Sequence, residues 1–110
     1  MKGTMLTWAR KRAAVDAAER ISVLIRRGKL SREMFSAPSD KDVVKMALSG
    51  LRGYPLYSTE VQEFVDTAPE KHRRAVYAAW KEGFIRAFRE QKKWKDDPYY
   101  AAYMEQTWNW

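Results

Sequence analysis

Seven cations recur along one stretch of this chain: Lys71, Arg74, Lys81, Arg86, Arg89, Lys92 and Lys93. On a helix, where successive residues advance by about 100°, they gather on one side, with Glu82 the only acid among them. A row of Lys and Arg with few counter-charges suits a polyanion. It neutralises backbone phosphates and releases their counterions while reading little sequence. Arg10, Lys11, Arg12, Arg26, Arg27 and Lys29 are further cations that could join the row. Ile85 sits inside the same arc, between Lys81, Arg89 and Lys92. An apolar residue ringed by charge is a candidate anchor for a protein partner.

Catalytic chemistry is poorly provided for. His72 is the single histidine and there is no cysteine, so neither a nucleophile–base pair nor a His/Cys metal cluster can be assembled. Asp40/Asp42 and Asp96/Asp97 stand at expected helix starts, where acids cap the backbone and meet the positive end of the helix dipole. Glu60 and Glu63 share a helix face and read as solvated. Gly50 and Gly53 are not followed by the Lys-Ser/Thr of a phosphate loop. The expectation is a non-enzymatic protein with no catalytic residue, no metal, no cofactor and no small-molecule substrate.

The element that must position the cations is a helix over about 68–95. Thr67 and Glu70 have capping-box spacing, and Pro69 falls in the first turn, where its missing N–H costs nothing. Its other side carries Val76, Tyr77, Ala79, Trp80, Gly83, Phe84, Ala87, Phe88 and Trp94, an aromatic stripe suited to packing. A second long helix is expected over about 5–27, capped by Thr4 and stopped by Gly28. Ala13, Ala14, Ala17 and Ala18 on its apolar arc allow close approach of a partner helix. Trp8 and Val15 lie off that arc and require another neighbour. Arg26, Arg27 and Lys29 crowd its C-terminus, where the dipole favours cations.

Shorter elements fill the interval. Ser31 starts a turn that carries Met34 and Phe35 inward. Ser39 or Asp40 caps a helix over about 41–49, and Thr59 with Gln62 opens another to about Asp66. The loop LRGYPLYS separates the last two and holds the sole strand-like stretch, Tyr54–Tyr57. Pro98 opens a final helix ending in Trp108 and Trp110, residue types enriched at interfaces and so protein-interface candidates beside Ile85.

One hundred and ten residues with 45% hydrophobic and 14% aromatic content suffice for one core and one domain, 1–110. No segment is apolar enough to span a membrane, and nothing resembles an export leader, so a cytoplasmic location is expected. The net charge is +7. Residues 1–35 hold nine bases against three acids and 71–110 nine against five, whereas 36–70 hold three against six. The charge is therefore directional, basic at both ends and acidic between. A helix-turn-helix reader is excluded: the connection between the two middle helices is about nine residues long, against the 3–4 of that motif, and Glu60, Glu63 and Asp66 repel phosphates. The sequence thus predicts an all-α bundle of two long helices with three shorter ones. Its expected role is low-specificity nucleic-acid binding through the cationic face. The alternative is an inhibitor or adaptor that docks on an acidic surface of a host or nucleic-acid-handling protein complex.

Overall fold

Two 25-residue helices form the frame, α1 (Lys2–Arg26) and α5 (Glu70–Trp94). Between them in sequence come α2 (Arg32–Phe35), α3 (Asp40–Gly50) and α4 (Thr59–Thr67). The computed structural model describes residues 2–94, with side chains from 4 to 91. Within that range the architecture is all-α and contains no strand, so Tyr54–Tyr57 is loop. No described helix is long and apolar enough to cross a membrane.

Helix boundaries follow local chemistry. α1 ends in a Schellman arrangement: Gly28 adopts φ +67°, its N–H donates to Ile25 O at 3.0 Å, and the Lys29 N–H donates to Leu24 O at 2.8 Å. Ser39 caps α3 by accepting the Asp42 N–H at 3.2 Å. Three expected caps are corrected. Thr4 lies inside α1, which is already helical at Lys2. Thr59 is the first residue of α4, behind the N-cap Ser58, and Gln62 pairs instead with Asp66 at 2.8 Å. Thr67 closes α4, its hydroxyl donating to Glu63 O, and α5 starts only after Ala68–Pro69. At Thr67 the spacing fits a cap, but the carbonyls of its own preceding turn are the nearer partners.

α1 and α5 pack directly on small residues. Ala9, Ala13 and Ala17 are fully buried, and at Gly83 the two backbones come so close that a Cβ would stand 2.6 Å from Ala14 Cα. The helices run antiparallel. Leu56, held beside Asp16 and Arg20, accepts the Trp80 indole N–H at 2.9 Å, which sets the middle of α5 against the second half of α1.

The expected aromatic stripe, from Val76 to Phe88, belongs to the core, while the Trp94 side chain lies outside those described. Tyr77, Trp80, Phe84 and Phe88 form a ladder of near-parallel rings, with centroids 6.5, 5.5 and 6.3 Å apart in order. Phe35 of α2 stacks on its end at 4.8 Å from Phe88. Trp80 and Phe84 are wholly buried. Val43, Val44 and Ala47 of α3 and Val61 of α4 close the sides.

Polar contacts, part-buried at Asp16 and Arg20 and exposed at Arg27, tie the 51–58 loop to α1. Asp16, fully buried, accepts the Ser58 N–H at 2.7 Å through Oδ2, while its Oδ1 lies 3.3 Å from Arg12 Nε. Arg20 Nε donates to Pro55 O at 2.8 Å, and Arg27 Nη1 donates to Arg52 O at 2.9 Å. Both guanidinium groups flank the Tyr54 ring, at 5.1 and 5.5 Å from its centroid.

Candidate functional site

The cations of α5 separate into groups according to what packs beside them. Lys81, Arg86 and Arg89 line an open groove of about 980 Å³ between α3 and α5. Its opposite rim is Lys41 and Lys45 of α3, spaced one turn apart, and its floor is Val44, Leu48, Tyr77 and Ile85. Lys71 and Arg74 lie in the first turns of α5, outside this groove, and Arg74 pairs with Glu70 at 2.7 Å. Lys92 and Lys93 belong to the last turn of α5, beyond the described side chains. Trp108 and Trp110 also lie outside the described residues, as does the helix expected after Pro98.

A second groove, about 300 Å³, follows the seam between α1 and α5. Arg10 and Lys11 of α1 line one side of it, and Glu82 and Arg86 are common to both grooves. Arg86 therefore stands where three helices present cations to one continuous surface. Of the other cations considered from sequence, Arg12 faces Asp16 and Arg27 is spent on loop carbonyls. Neither reaches this surface.

Two details of the cationic arc are corrected. First, it is more opposed than the helical wheel implied. Asp40 and Glu90 line the groove together with Glu82, and Asp40 Oδ2 receives Arg89 Nη2 at 2.5 Å. Among the described residues Arg86 makes no ion pair. Lys81 holds its ammonium 4.8 Å above the Tyr77 ring. Second, Ile85 is no free-standing anchor. It is only 8% exposed because α3 lies against it, and it forms part of the groove floor.

Lys41 and Lys45 were not singled out from the sequence. Their signal was present: they stand at i and i+4 beside Val44 and Leu48, the pattern of a helix whose apolar edge is rimmed by charge. Their relevance depended on α3 lying next to α5.

A different surface is apolar. Met5, Trp8 and Val15 are 54, 44 and 48% exposed and share one side of α1. Trp8 and Val15 thus lack the second packing neighbour they require, among the described residues.

No group of three His, Asp or Glu residues that could hold a metal occurs among the described residues. Burial, then the neighbouring Tyr77, pushes the Tyr57 phenol from 10.0 up to about 12. A phenol held neutral inside the core is a packing element.

No family model matches the chain, and neither a curated protein nor a solved structure does.

Proposed function

We propose that this protein is a non-enzymatic binding module that engages a polyanion, most simply the backbone of nucleic acid. The interface is the surface shared by α1, α5 and α3. The observation that carries the reading is the position of Arg86 between two grooves, with Arg10 and Lys11 on one side and Lys41 and Lys45 on the other. Cations from three helices on one surface raise the local potential far more than the same residues spread over the molecule. A cytoplasmic location, where nucleic acid is at hand, belongs to the same reading.

A salt titration tests it. Affinity for nucleic acid should fall log-linearly with salt, by about 0.7–0.9 in slope for each phosphate contact. Reversing Arg86 and Lys45 together to Glu should flatten that slope by about 1.4–1.8 while the helical signal stays unchanged. Binding that ignores salt and both substitutions removes the proposal.

The second reading is a protein-binding inhibitor or adaptor, favoured by the exposed Met5–Trp8–Val15 side of α1. It predicts that Trp8→Ser with Val15→Ser abolishes capture of a protein partner and leaves the salt-dependent binding intact. Nuclease treatment before capture separates the two readings.

A further inference from the structure

We propose that the α3–α5 groove selects single-stranded over double-stranded nucleic acid, with bases entering the trough and phosphates following its rims. This rests on the polyanion reading above and assigns its ligand class. A duplex needs only a charged surface, because its base faces are stacked internally and its phosphates lie outermost. An apolar trough between two rows of cations offers something more. It has a place for the flat faces that an unpaired strand exposes.

The geometry supplies both parts. Lys41 and Lys45 form one rim and Lys81 and Arg86 the other, so phosphates on either side of an inserted base meet a cation. Counting Arg89, five cations face three acids, and Asp40 is already held by Arg89, so the trough is net positive. The half-buried Tyr77 is the stacking platform. Its ring is backed by Trp80 with centroids 6.5 Å apart and is therefore held in place rather than free to swing away. Lys81 covers the outer side of that ring. An arriving base takes over this side, and the displaced ammonium remains within reach of the adjoining phosphate.

The test measures anisotropy of a labelled oligothymidylate and of its duplex with oligoadenylate, at one salt concentration, against the full chain. The single strand should bind about tenfold more tightly than the duplex, and Tyr77→Leu should remove about tenfold of that affinity without changing the salt slope. Lys45→Glu, a surface change that leaves the ring in place, should weaken the same binding and flatten the slope. Equal binding of both forms with no effect of Tyr77→Leu overturns the single-strand assignment and leaves the polyanion reading standing. No binding of either form overturns both. Occupancy instead by a glutamate-rich amphipathic peptide, lost in Tyr77→Leu, makes the groove a protein site and overturns the assignment as well.

Discussion

The Ser58 backbone N–H donates to Asp16 Oδ2 at 2.7 Å, a contact that joins the N-cap of α4 to the centre of α1 across 42 residues. The carboxylate is fully buried and the bond is partly shielded from water, so the donor depends on it. Replacing Asp16 with Ala leaves that donor unpaired and should cost roughly 2–3 kcal/mol. Asp16→Asn, which keeps an acceptor, should cost less. Urea unfolding followed by circular dichroism reads the difference; equal midpoints for wild type and Asp16→Ala would dismiss the latch.

Gly83 gives a second stability test of opposite local sign. A helix gains about 1 kcal/mol from Gly→Ala in isolation. Here the added Cβ would lie 2.6–2.8 Å from Ala14 Cα, O and Cβ, atoms that cannot move without shifting α1. Gly83→Ala should therefore lower stability by about 1–3 kcal/mol in spite of the propensity gain. A lowered thermal midpoint is the expected outcome, and a raised one would show that α1 and α5 do not pack so closely.

Alkaline pH should act through Tyr57. Its folded value of about 12 exceeds the 10.0 of the unfolded chain, so the unfolded state loses the proton first. The stability contributed by the neutral phenol is complete below pH 10 and drains away as the pH rises towards 12. Tyr57→Phe should flatten the stability profile in that window and leave it unaltered at neutral pH. A profile identical to wild type would mean that the phenol is solvated when folded.

Much of this arrangement was legible in the chain itself. The long helices, the aromatic stripe between them and the inward turn of Met34 and Phe35 followed from 3.6-residue periodicity and turn residues. The candidate site was legible only in part. A helical wheel ranks the residues of α5 against one another, but it cannot know that α3 occupies the Ile85 side and leaves the Arg86 side open. It placed Ile85 among exposed cations for that reason. Asp16 illustrates the same gap: its i,i+4 spacing to Arg12 matches the pair that the structure holds, but nothing in the spacing points to the backbone amide 42 residues away that its other oxygen accepts from. Lys41 and Lys45 gained meaning only when their helix acquired a neighbour.

The Arg89–Asp40 pair offers a fourth test, this one of the interface. Both side chains are well exposed, so Asp40→Asn should change stability by less than about 1 kcal/mol. It also releases Arg89 and deletes one acid from the groove. Affinity for the oligonucleotide should rise severalfold and the salt slope steepen by up to about 1. Unchanged or weaker binding would indicate that the ligand does not pass Arg89.

The tight seam between α1 and α5 also bears on how the chain assembles in time. Ala14 and Gly83 stand 69 positions apart, and the residues that bury α1 most fully come from the second half of the molecule. Helical proteins usually fold fast because their contacts are local; here the principal one requires closure of a large loop before any burial rewards it. The molecule should therefore fold more slowly than a bundle of neighbouring hairpins of equal size, and during synthesis α1 must wait for α5.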